Sequence, residues 1–124
     1  MPTCINTETT TLDDPISERS RRFAMLVIKG EFEKAAAFAG RPDLESSIMD
    51  SWTGLAANML EKPHDAVVTV SMNPGEWQLP DPRLDDLGWR YVALMSPSDH
   101  EGLSLVWSGD MSNPFVSWME WGRP

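Results

Sequence analysis

The sequence has few of the residues on which most catalytic and binding signatures depend. It contains a single cysteine, Cys4, so it can form neither an intrachain disulfide nor a zinc site of several thiolates. A lone thiol also fits a reducing compartment. No apolar run approaches the roughly 18 residues of a membrane-spanning helix. We therefore expect a soluble, cytoplasmic protein without membrane contact.

Positive charge is also scarce. Ten Lys and Arg residues stand against 19 Asp and Glu residues, for a net charge of −9. A surface of this sign repels phosphate backbones, which argues against nucleic acid as a partner. The two histidines, His64 and His100, lack the spacing of metal ligands, and no phosphate-binding glycine loop is present. The sequence predicts no metal ion and no cofactor.

Apolar residues recur at helical spacing in the first half of the chain. Asp14 and Pro15 supply an N-cap and a first helical residue for a helix that Gly30 ends. A second, short helix is predicted over residues 31–39 and a third over about 43–61. The polar residues 1–12 are predicted to be a flexible arm, so that residues 13–124 form one domain.

From residue 66 onward the apolar residues alternate as they do in strands. Four strands are predicted, over residues 65–72, 89–95, 103–107 and 115–121, with a short helix over residues 81–88. The later linkers are too short for crossover helices, so neighbouring strands pair antiparallel. The sequence thus predicts an α+β fold in which N-terminal helices pack on a curved, four-stranded antiparallel sheet.

Several features together resemble the nuclear transport factor 2-like superfamily. They are the segment FAMLVIKGEFEKAAAFAG with its break at Gly30, Trp52 in the third helix, and a meander that ends in Trp121 and Gly122. The resemblance covers residues 14–124 and extends to short bacterial members. It implies a cone-like molecule whose bent sheet wraps around the long helix and leaves a pocket at the wide end. It implies no chemistry, because the superfamily holds both enzymes and binding domains.

Aromatic residues supply the candidate site. Trp89 and Tyr91 alternate with Arg90, which predicts that both rings face the helices. We expect a concave pocket lined by large rigid side chains, suited to a small apolar ligand. The predicted ligand-binding residues are Trp52, Trp89, Tyr91, Trp107 and Trp121.

The other face of the sheet is predicted to be the outer face, marked by Arg90, Ser104, Ser108 and Glu120. The same face is expected to carry much apolar surface that needs cover, so we predict a homodimer formed through it. The alternative is that residues 73–88 fold over this face within one chain. The predicted dimer-interface residues are Val92, Leu94, Val106, Val116 and Trp118.

No acid–base constellation accompanies the pocket. Tyr91 is the only phenol, and the candidate bases Asp50, Asp65, Asp99, Glu120 and His100 are poorly placed for proton transfer. We therefore predict no catalytic residue and a non-enzymatic domain that binds a small apolar ligand or a protein partner. Two alternatives stay open: an isomerase or hydratase of a small carbonyl compound, and an acidic inhibitor or immunity-type protein. The charge of residues 63–124, nine acids against three bases, favours a basic protein partner for the latter.

Overall fold

The computed structural model describes residues 14–59, 66–71, 86–95 and 100–122. Within these ranges the helices precede a four-stranded antiparallel sheet, which confirms the predicted α+β fold class. The sheet is open, with strand order β1-β2-β3-β4, so β1 and β4 are its edges. The elements are α1 (Pro15–Ile28), α2 (Phe32–Phe38), α3 (Glu45–Met59), β1 (Val67–Ser71), β2 (Asp86–Met95), β3 (His100–Asp110) and β4 (Asn113–Trp121).

The helices begin and end close to the predicted positions. Asp14 is the N-cap of α1, where its carboxylate accepts the Ser17 N–H at 2.9 Å, and Pro15 is the first helical residue. The predicted third helix divides into a short 3₁₀ helix (Pro42–Leu44) and α3. In the described part of the chain, no helix combines the length and the apolar character that crossing a bilayer requires.

Strands β2, β3 and β4 are longer than predicted, and a tighter turn between β3 and β4 accounts for part of the added length of these two. The turn predicted over residues 108–114 shrinks to Met111 and Ser112, where the Asp110 carboxylate accepts the Ser112 N–H at 2.9 Å. The short helix predicted over 81–88 is wrong for its last three residues, which belong to β2. The predicted arm, residues 1–12, lies outside the described residues, as do residues 72–85, which include most of the segment expected to cover the sheet.

The core lies between the helices and one face of the sheet. Phe23 and Val27 of α1 and Ile48 and Trp52 of α3 pack against alternate residues of the strands. The strand residues in this core include Val70, Val92, Leu94, Leu103, Leu105, Trp107 and Val116, each at most 1% exposed. We call the face that carries them the helix face of the sheet, and the opposite face the outer face.

The faces of β2 are the reverse of the prediction. Val92 and Leu94 are core residues on the helix face. By strand alternation, Trp89 and Tyr91 therefore lie on the outer face. Their expected position toward the helices is wrong because Arg90, taken as the mark of the outer face, is buried on the helix face at 8% exposure.

Arg90 is accommodated there by the start of α1. Its Nε donates to the Ser17 hydroxyl and its Nη2 to the Asp14 carboxylate, both at 2.8 Å. Its Nη1 donates to the Trp89 carbonyl at 2.7 Å. A guanidinium can be buried when its donors are satisfied in this way, because the hydrogen bonds offset the loss of hydration.

A β-bulge divides two residues that were predicted to share a face. Val106 pairs with Trp118 and Trp107 pairs with Val116, so Ser117 is the extra residue. Val116 therefore faces the core, where it is fully buried, whereas Trp118 faces outward with Val106. Of the five residues predicted for a dimer interface, Val92, Leu94 and Val116 are core residues of the single chain.

Candidate binding site

The aromatic residues predicted to bind a ligand are distributed over three places. Trp52 and Trp107 are packed inside the core, at 3% and 0% exposure. Trp89 and Tyr91 lie on the outer face of β2. Trp121 is half-buried at the open edge of β4. The structure therefore does not gather these five residues around one cavity.

The outer face carries a row of apolar side chains across three strands. Trp89 of β2 is in register with Val106 of β3, which is in register with Trp118 of β4. The Trp89 Nε1 is buried and has no hydrogen-bond acceptor among the described residues. Of the five predicted interface residues, this row contains Val106 and Trp118, and the homodimer stays a prediction.

A cleft of about 280 Å³ lies between β4 and the start of α3. This cleft was not predicted, although Val116 and Trp118 were expected at a dimer interface and Trp121 in an aromatic pocket. No sequence signal points to this cleft, because residues 41–47 and residues 116–121 come together only in the folded chain. The lining residues are Arg41, Leu44, Ser47, Val116, Ser117, Trp118, Met119 and Trp121.

One end of the cleft is closed by the C-terminal end of α2. The Val116 N–H donates to the Ala39 carbonyl at 2.8 Å, and Arg41 Nη1 donates to the Val116 carbonyl at 3.0 Å. Gly40 makes this approach possible, since its φ is +69° and a β-carbon there would lie 2.8 Å from the Phe115 β-carbon. Both outward backbone groups of Val116 are thus already satisfied.

The charge of Arg41 is neutralised within the chain. Its Nε and Nη2 donate to the two carboxylate oxygens of Asp43 at 3.1 and 3.0 Å. This paired hydrogen bonding lowers the pKa of the Asp43 carboxyl below its ordinary value. The arginine therefore shapes the closed end of the cleft without offering a free positive charge to a ligand.

The rest of the β4 edge is open to the cleft. The Gly122 N–H donates to the Gly102 carbonyl at 2.8 Å. The backbone groups of Gly122 therefore point toward β3, and this sets the direction for the alternating residues before it. By antiparallel alternation, the N–H and C=O groups of Met119 and Trp121 point away from β3. None of the described residues pairs with them on that side. The cleft therefore offers unused strand hydrogen bonds beside apolar side chains.

Of the candidate general bases, the structure describes the side chains of two, and these lie on different elements. Asp50 and Glu120 are exposed, on α3 and β4 respectively. Asp65, Asp99 and the side chain of His100 lie outside what the structure describes. Over the described ranges, no three His, Cys, Asp or Glu side chains are grouped as a metal ion requires. The isomerase or hydratase alternative stays a prediction.

Comparison of the chain with protein-family models, with curated proteins and with solved structures found no match. The resemblance to the nuclear transport factor 2-like superfamily therefore stays a prediction. What the structure confirms is the order of elements, with helices first and an antiparallel meander after them. A fold of this kind does not specify a function, which depends on the chemistry of the cleft.

Proposed function

We propose that this chain is a non-enzymatic binding domain that holds a segment of a partner protein in the cleft beside β4. The observation that carries the proposal is the edge of β4, where Met119 and Trp121 have backbone groups that no described residue pairs with, beside a cleft lined in part by apolar side chains. Extended peptides bind such edges by adding a strand, with backbone hydrogen bonds for affinity and side-chain pockets for specificity. A cytoplasmic location, which the single cysteine favours, is part of the same proposal.

The cleft suits a peptide better than a small apolar molecule. Pockets for small ligands surround most of the ligand's surface. This cleft is about 280 Å³ and runs along a strand edge. Trp52 and Trp107, the most deeply buried tryptophans among the described residues, are in the core and do not line the cleft. A strand edge forms hydrogen bonds with an extended backbone, and a small apolar ligand has no such backbone groups.

The test is selection of heptapeptides from a random display library against the intact chain, followed by affinity measurements on two variants. Ser47 is exposed and lines the cleft, whereas its neighbour Ser46 is exposed and does not. We expect Ser47→Trp to lower the affinity for the selected peptides about ten-fold or more, because the new side chain fills the cleft. Ser46→Trp is expected to leave this affinity unchanged. Hydrogen exchange at the Met119 and Trp121 amides is expected to slow when peptide binds.

Two outcomes count against the proposal. Peptides that bind both tryptophan variants equally well would place the binding surface elsewhere. The second outcome is that no peptide is selected, while the chain enhances the fluorescence of anilinonaphthalene sulfonate and Ser47→Trp abolishes this enhancement. That result would instead support the predicted small apolar ligand.

A further inference from the structure

The open part of the β4 edge is short, and its hydrogen-bond pattern fixes how a strand can add to it. Val116 is already satisfied by Ala39 and Arg41, so an added strand cannot extend past it. Within the described part of the chain, Met119 and Trp121 are the residues of this edge whose backbone groups remain for pairing. Glu120 lies between them, and an added strand therefore has one residue directly beside Glu120.

Glu120 is an exposed carboxylate on the outer face. It is in register with Ser104 of β3, which cannot neutralise its charge, and it has no ion-pair partner among the described residues. Side chains directly opposite on adjacent strands are close enough for opposite charges to stabilise the pair and like charges to destabilise it. The position beside Glu120 thus selects for positive charge.

The neighbours of that position on the added strand face the other way. They lie beside Met119 and Trp121, on the side of the sheet where Leu44 lines the cleft. Because strand side chains alternate between faces, a residue that points outward at Glu120 is flanked by residues that point into the cleft. These flanking positions select for apolar side chains.

We infer that the partner segment is an extended strand with the pattern apolar, basic, apolar, in which a lysine or arginine lies beside Glu120. This inference rests on the proposed function. The charge of the whole chain, −9, acts in the same direction, since it attracts a basic partner over a longer range. Arg41 does not oppose it, because its charge is paired with Asp43.

A second copy of this chain fits the same edge less well. The two-fold arrangement that pairs Met119 of one copy with Trp121 of the other places Glu120 opposite Glu120. Like charges directly opposite on neighbouring strands are destabilising, and two chains of charge −9 also repel each other. The edge therefore disfavours its own copy while it favours a basic segment.

The test uses two acetylated and amidated heptapeptides, one of alternating valine and lysine and one of alternating valine and glutamate. We expect the unmodified chain to bind the lysine peptide about five-fold or more tightly than the glutamate peptide, with a difference that shrinks at high salt. Glu120→Lys is expected to reverse the preference. Glu33→Lys, the same exchange at an exposed position of α2, changes the net charge equally and is expected to alter the preference less than about two-fold.

The outcomes separate this inference from the proposed function. Equal effects of Glu120→Lys and Glu33→Lys would show that only net charge matters and would overturn the inference. If both peptides bind equally well but Ser47→Trp weakens both, the edge binds peptides without the charge preference, so the inference fails and the proposed function stands. If Ser47→Trp leaves peptide binding unchanged, both the inference and the proposed function are wrong. A dimer in light scattering that Ser47→Trp dissociates would assign the edge to a second copy.

Discussion

The side chain of Tyr91 occupies the space that a β-carbon would need at Gly102 on the neighbouring strand. Ring atoms Cε1 and Cζ would lie 2.5 Å from that β-carbon, and the hydroxyl oxygen closer still. The two residues are diagonal neighbours, since Tyr91 is in register with Ser104 and Ala93 with Gly102. A glycine has no side chain to cover its backbone, and an aromatic ring on the neighbouring strand shields that backbone from solvent. The ring also fixes the register of the two strands.

Gly102→Ala is therefore expected to lower the free energy of unfolding by about 1–3 kcal/mol, because the new methyl group collides with the ring. In a Tyr91→Ala background the same substitution is expected to cost less than about 1 kcal/mol. Urea unfolding of the two single variants and the double variant measures both costs. Equal costs in the two backgrounds would show that the ring does not hold this position.

The acid stability of the chain is expected to depend on Asp14. Burial by itself would raise the pKa of this carboxyl, but hydrogen bonds from the Ser17 amide and hydroxyl and from Arg90 outweigh it and lower the pKa from 3.8 to about 2. A pKa that is lower in the folded state stabilises the fold fully above the unfolded-state value of 3.8. That contribution is lost as the pH falls toward 2.

Asp14→Asn keeps an N-cap side chain but cannot titrate, so we expect it to flatten the loss of stability between pH 3.8 and about 2. Urea midpoints measured from neutral to acid pH give the slope for each protein. Asp50→Asn, at an exposed position on α3, serves as the matched control and is expected to keep the unmodified slope. A variant at Asp14 that loses stability as steeply as the unmodified chain would contradict the assignment.

The buried indole of Trp107 depends on a single hydroxyl of α1. Its Nε1 donates to Ser20 Oγ at 2.9 Å, and Trp107 is fully buried. Ser20→Ala is expected to lower the free energy of unfolding by about 1–3 kcal/mol, because it leaves a buried donor without an acceptor. Ser46→Ala, at an exposed position, is expected to change it by less than about 0.5 kcal/mol. Denaturant unfolding followed by tryptophan fluorescence compares the two, and equal effects would argue against the hydrogen bond.

Two glycines are expected to respond to alanine in opposite directions. Gly54 lies inside α3, and no described atom is within 4 Å of the place where its β-carbon would be. Gly54→Ala is expected to raise the free energy of unfolding by about 0.5–1 kcal/mol through helix propensity. Gly40→Ala is expected to lower it, because φ is +69° and Phe115 is in the way. Thermal unfolding of both variants measures the two effects. Melting temperatures that shift in the same direction in both variants would contradict the prediction.

The ends of the helices could be predicted because their signals are local. Asp14 and Pro15 start α1 through groups within three residues of the cap, and no distant part of the chain has to be known. The strand order of the meander could be predicted for a similar reason, since short linkers leave antiparallel pairing as the available solution.

The faces of the sheet could not be predicted because they depend on distant partners. In β2 both alternating sets are apolar, and Arg90 was the only guide to the outer side. Its acceptors Ser17 and Asp14 are 73 and 76 residues away in sequence, and they make the buried position acceptable. In β4 the extra residue Ser117 changes which side chains point to each face of the sheet. No residue type in the sequence indicates this bulge.

The cleft is the least predictable feature because both its walls are set by tertiary contacts. Its closed end depends on Gly40 meeting Phe115 and on Arg41 reaching Val116. Taken one at a time, these residues are ordinary for a helix end and an edge strand. Only their approach in the folded chain makes a site.

The contact between the end of α2 and Val116 also sets an order of events during synthesis. Arg41 and Val116 are 75 residues apart, so the end of α2 lacks this partner until β4 has been made. At about 5–20 residues per second this delay is roughly 4–15 s, far longer than the formation of a helix. Part of the apolar face of the nascent helices therefore stays uncovered until β4 emerges.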